Sequence, residues 1–199
     1  MTHTNFSDTV TRIAATVKAI RKSEGLTAAA LSDRTAALGK RISRAVISDL
    51  ETGRKQTLDV TELLVLAGAL NVSPVSLVFP GPYDEAVEVV PEVRVSQFNA
   101  AQWFAGNDYW IPESPGAIPI PVFPDGLTMA DAGGMWGLNM RTLASWQELE
   151  KARTARSAAV MRLVNRSDDD EQSQAERQQI QFYDGLIARL RGELGLADD

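Results

Sequence analysis

Through its first eighty positions the chain sets short apolar-periodic stretches between polar stops. Val10, Ile13, Val17 and Ile20 recur at three- and four-residue spacing, the stripe of an amphipathic helix, with Ser7 and Asp8 as caps ahead of it and Gly25 as its end. A second helix, "AAALSDRTAAL", takes Thr27 as its N-cap and stops at Gly39. The third lies in "RISRAVISDLETGRK", residues 41–55, where Val46, Ile47 and Leu50 share one face. Ser43 caps it, Gly53 stops it, and Arg54 and Lys55 put positive charge just beyond. Asp59 opens a fourth helix, "LDVTELLVLAGALN", which ends near Asn71. Ser73 and Pro74 open a fifth, "VSLVF", since proline suits a first helical turn, and "PGP" at 80–82 closes the unit. Residues 1–80 therefore predict a compact all-α domain of five short helices.

Beyond residue 80 the pattern changes. Eight of the nine prolines lie between Pro80 and Pro124, and "IPESPGAIPIPVFPDG" reads as extended or polyproline-like chain. Two islands interrupt this stretch. "AVEVV" alternates Val87 and Val89 like a short strand, and Ser96 to Gly106 reads as a capped two-turn helix carrying Phe98, Trp103 and Phe104. Aromatics in such a segment predict a linker, 81–138, that docks on a surface. Residues 139–199 are helical again. "NRSDDDE" breaks them into two helices, with its acids at the N-terminus of the second, where the helix dipole favours negative charge. There Ile180, Tyr183, Ile187, Leu190 and Leu194 repeat at three-four spacing, a coiled-coil seam about two heptads long. Two readings stay open: an antiparallel hairpin with the preceding helix, or a seam shared with a second copy as an oligomerisation element.

Composition narrows the chemistry. There is no cysteine, which removes disulfides and thiolates, and the single histidine, His3, cannot build a metal site or a triad. "DAGGMWG" lacks a strand–helix context, "LETGRK" is no phosphate loop, and paired carboxylates occur only in acidic runs, so no catalysis and no cofactor is expected. No apolar run is long enough to span a membrane, and "MTHTNFSDTV" has none of the blocks of a signal peptide. These features predict a cytoplasmic, nucleoid-associated protein. The net charge of −6 is unevenly spread. Residues 1–80 carry ten Lys and Arg against seven Asp and Glu, a net +3, whereas residues 81–140 carry one Arg against eight acids, a net −7. A basic segment followed by an acidic one is compatible with a nucleic-acid-binding N-terminal domain.

Three segments together carry a family resemblance over residues 8–79: "GLTAAALSDRTA" as a positioning helix, "VISDLETGRK" as a recognition helix, and "LLVLAGALNVSPVSLVF" as a closing pair. They are similar to the Cro and phage-repressor-type, XRE-like helix-turn-helix regulators. One departure stands out. Ala36 occupies the place of the family's usual turn glycine, and about four extra residues in "ALGKRI" lengthen the connection, which implies a longer second helix and a shifted entry angle for the third.

The resemblance implies a mainly α fold: a lambda-repressor-like five-helix DNA-binding domain, a Pro-rich, partly ordered middle segment, and a C-terminal helical hairpin or coiled coil. Carried over residue by residue, it puts base contacts on Arg44, Ala45, Ser48 and Asp49. Arginine suits guanine, alanine a thymine methyl, and aspartate a cytosine amino group. Asp49 needs a cation beside it so close to phosphates, and Arg44 and Arg54 are the candidates. Glu51 is expected to hold nearby backbone or an arginine. Phosphate contacts are expected from Thr27, Lys40, Arg41, Ser43, Arg54, Lys55 and Gln56, which bracket the third helix. The function implied is a sequence-specific, double-stranded-DNA-binding transcription regulator, a repressor of phage or prophage type, with a homodimer through the C-terminal helices as one arrangement. The competing function is a protein-interaction module, an antitoxin or adaptor whose tail holds a partner through Trp103, Trp110 and Trp136.

Overall fold

The computed structural model describes residues 7–90, 93–107, 129–165 and 171–196. His3, Trp110, the proline-rich run 111–126 and the acids Asp168–Asp170 lie outside them. The chain divides into two compact units, Met1–Val122 and Phe123–Asp199.

The first unit opens with the five expected helices: α1 (Ser7–Ser23), α2 (Ala28–Ala37), α3 (Arg44–Glu51), α4 (Val60–Ala69) and α5 (Pro74–Val78). The caps of α2, α3 and α4 are those legible in the sequence, whereas Ser7 and Asp8, expected ahead of the first helix, fall inside α1, and Ser73 makes no side-chain cap bond at α5. Thr27 accepts from the Ala30 N–H and Ser43 from the Val46 N–H, while Asp59 and Glu62 form a reciprocal capping box at the start of α4. Each helix turns its apolar stripe inward: Ile13 and Val17, Leu31, Ile47 and Leu50, Leu66 and Leu70, and Leu77 meet in one core.

α2 runs through Ala36, and the positive-φ stop falls on Gly39 (φ 89°) instead. The connection between α2 and α3 is tied back to α2 through a side chain. Thr35 is fully buried, donates to the Ser32 carbonyl at 2.7 Å and accepts from the Ile42 N–H at 2.9 Å, so one hydroxyl ties the turn to α2. Ile42 then inserts into the core ahead of α3.

Pro80–Pro82 is a corner inside this unit. Beyond it, β1 (Ala86–Val90) pairs antiparallel with β2 (Val93–Ser96), with Val87 opposite Val95, and α6 (Gln97–Phe104) follows, capped by Ser96. The sequence predicted one strand here, and there are two. Residues 81–107 complete the core of the first domain: Val87, Val95 and Ala100 join its cluster. Phe104 meets Phe79 edge-on at 5.9 Å, and the Arg12 guanidinium lies 5.5 Å from the other aromatic partner, the Phe79 ring. The predicted docking surface for this part of the linker is thus the end of α5.

The second unit is α7 (Met129–Val164) and α8 (Glu171–Glu193). They run antiparallel: Arg162 pairs with Glu176, Arg156 with Asp184, and Glu148 with Arg189. Of the two readings of the tail, the hairpin is the one formed within the described chain. Leu149, Ala152, Ala159, Ser173 and Leu190 are buried, while Ile180, Tyr183, Ile187 and Leu194 are half-buried. α7 begins ten residues before the expected boundary at 139, because no proline follows Pro124 and the glycines at 133, 134 and 137, each costing roughly 1 kcal/mol against alanine, do not by themselves stop a helix of 36 residues.

Candidate nucleic-acid interface

α3 is held from behind. Ile47 and Leu50 are buried, and Glu51 reaches α1, where Arg21 clamps it with two bonds of 2.6 and 2.7 Å. Both side chains are nearly buried, at 12% and 8% exposure, and Arg21 also donates to the Leu26 carbonyl. Hydrogen bonding to Glu51 raises the Arg21 pKa above its ordinary value. Of the two kinds of partner expected for Glu51, backbone or an arginine, it has the arginine, which lies thirty residues away on α1.

With that side fixed, the opposite arc of α3 faces outward. Arg44 and Ala45 are exposed, and Ser48 and Asp49 half-exposed. At 100° per residue these four share one face, with Thr52 at its C-terminal end. Thr52, which the sequence reading passed over, donates to the Ser48 carbonyl at 2.7 Å. Arg44 makes no ion pair among the described residues.

Most of the bracketing cations are occupied. Lys40 lies 3.5 Å from Asp59, Arg41 2.9 Å from Asp33, and Arg54 2.5 Å from Asp49. Of the two candidates for Asp49, then, Arg54 is the partner. Lys55 is 3.2 Å from Glu62 and only 24% exposed; since Glu62 also accepts from the Asp59 N–H, Lys55 helps hold the N-terminus of α4. Asp59 is itself held below the ordinary carboxylate range, chiefly by the Glu62 N–H and also by the Lys40 ammonium. Thr27 and Ser43 serve as helix caps with exposed side chains, and Gln56 is exposed.

Between α1 and the end of α3 runs a cleft of about 340 Å3 lined by Thr11, Ala15, Lys18, Thr52, Lys55 and Gln56 among others. Lys18 makes no ion pair among the described residues. It was invisible in the sequence because the fold alone brings α1 beside this loop. The described residues hold no cluster of His, Cys, Asp or Glu suited to a metal ion, and no described helix is long and apolar enough to cross a membrane.

Residues 17–77 match the helix-turn-helix family model. The span opens inside α1 and closes inside α5, and so contains α2, the turn and α3 whole. Over this segment the chain is similar to the XRE-like, Cro-type helix-turn-helix domains through which transcription regulators bind DNA. No curated protein and no solved structure matches the chain.

Proposed function

We propose that the chain recognises a specific double-stranded DNA site through α3 and represses transcription by occupying it. One observation carries the reading: Arg44 is exposed and makes no ion pair among the described residues, at the N-terminal end of a helix whose other face is locked into the core by Glu51 and Arg21. An α-helix fits the major groove of B-DNA, and residues near its N-terminal end reach base edges. Arg44, Ala45, Ser48 and Asp49 are the base-reading set in this proposal. Thr27, Lys40, Arg41, Ser43 and Gln56 serve the phosphates, joined by Lys18. Lys40 and Arg41 must exchange their carboxylates for phosphate oxygens, a modest cost because exposed ion pairs contribute little. Lys55 is committed to Glu62, and Arg54 to Asp49.

Selecting bound duplexes from a random pool with the intact chain tests the proposal. A defined consensus is expected, and Arg44→Ala is expected to lose about 1–3 kcal/mol of discrimination at one base pair. Retention by the intact chain of no duplex even at low ionic strength refutes it. A palindromic consensus adds a homodimer, whose half-sites would lie about one helical turn apart.

A second reading, a tail that binds another protein, is favoured by the hairpin itself, which leaves Leu138 71% and Phe182 65% exposed. The two activities are compatible in one chain.

A further inference from the structure

An acid sits badly where Asp49 sits. It occupies the last turn of α3, where the helix dipole disfavours negative charge, and on the proposed reading it faces a duplex bearing one phosphate per roughly 1.7 Å of axis. The fold supplies the compensation locally. Gly53 takes φ 75°, a conformation costly for any residue with a side chain, and the chain turns back so that the Lys55 N–H donates to the Asp49 carbonyl at 3.0 Å. That reversal brings Arg54 against the last turn of α3. Its Nε and Nη2 both converge on one carboxylate oxygen of Asp49, Oδ1, at 2.7 and 2.5 Å. The second oxygen, Oδ2, has no protein partner among the described residues.

From this geometry we infer that Asp49 and Arg54 form a single base-reading unit, with Asp49 Oδ2 accepting a hydrogen bond from an exocyclic amino group in the major groove, cytosine N4 being the matching donor. Arg54 is the positioning residue. It neutralises the acid against the phosphates and fixes which oxygen is presented, and it does not itself serve the DNA backbone. Both side chains are open to a ligand, at 42% and 67% exposure, so the pair is not committed to the protein interior. To bind a phosphate Arg54 would have to release both bonds and leave Asp49 bare beside the polyanion. Stabilisation of α3 alone is a poor account of the pair, since exposed ion pairs add little to stability. The inference rests on the DNA-binding reading of α3 and deepens it.

The test uses the intact chain, the best duplex it selects from a random pool, and that duplex with each base pair changed in turn. Asp49→Ala and Arg54→Ala are each expected to lose roughly 5- to 100-fold discrimination at the same base pair. The double substitution should lose no more than either single one, and the slope of log affinity against log salt should stay unchanged. Asp49→Asn, nearly isosteric, should move the preference at that pair from cytosine towards adenine, which asparagine reads through N6 and N7. If Arg54→Ala instead weakens all duplexes equally and lowers the slope by roughly 0.9, Arg54 is a phosphate ligand and the unit does not exist, while DNA reading by α3 stands. Unchanged base preferences in Asp49→Ala overturn the unit as well. A chain that binds no duplex removes the reading of α3 and the unit with it.

Discussion

In the unit that ends at Val122, the six helices and the strand pair of its described residues close over one cluster of buried side chains that runs from Ile13 to Ala100. In the unit that begins at Phe123, the two described helices face each other along one stripe, and among the described residues only two of the buried apolar side chains there, Leu149 and Leu190, are large. Ala152, Ala159 and Ser173 complete the stripe, small residues that let helix backbones approach. Met135, Leu138, Leu143, Trp146, Met161 and Val164 stay exposed along α7. A helix offers one stripe to each neighbour, so a hairpin with a single contact cannot cover the rest. The polar groups differ in the same direction. The Arg21–Glu51 pair is sequestered and orients a helix, whereas Arg156 and Asp184, at 41% and 51% exposure, lie on the surface of the hairpin.

The sharpest way to break this contrast is Glu51→Ala. Removing one partner strands a nearly buried guanidinium and is expected to cost about 3–5 kcal/mol in chemical denaturation of the intact chain. A loss below about 1 kcal/mol would show that solvent reaches Arg21 freely. Next comes Leu149→Ala, expected to cost about 2–3 kcal/mol and to be seen as lost helical circular dichroism, towards the low end for leucine because a two-helix stripe can collapse around the gap. Asp59→Ala should do less, by freeing the capping-box N–H groups at α4. Since the folded Asp59 carboxyl titrates below its ordinary range, its contribution is complete above the unfolded-state pKa and fades as pH falls through the lower folded value. An acid-side decline in stability that Asp59→Ala leaves unaltered would assign that decline to other carboxylates. Smallest is Arg156→Ala, expected below about 0.5 kcal/mol and fading further with added salt.

Where sequence sufficed and where it fell short follows the range of the interactions involved. Caps and stops are local, and Thr27, Ser43, Asp59, Ser96, Gly25 and Gly53 all hold the positions their types suggest. The partner of Asp49 was among two candidates because it lies five residues away. By contrast, Arg21 and Lys18 reach α3 or its loop only through the packing of α1, which no spacing rule encodes. β2 is four residues long and lies just after Pro91, too short to show an alternation, and its pairing with β1 is a tertiary fact. At the other end, Gly133, Gly134 and Gly137 concealed the start of α7, because per-residue propensity is a weak prior against a helix that long. For the contacts to bases and phosphates the same limit applies, as they depend on a second molecule.

The buried hydroxyl of Thr35 has a mechanical meaning. An insertion between two helices ordinarily acts as slack, letting one swing against the other. Here a single oxygen, bonded on both sides, turns the added length into a bracket that sets the pitch of α3. A methyl group in its place, as in Thr35→Val, keeps the volume and cuts the strap, so the attitude of α3 becomes adjustable while its own residues stay untouched.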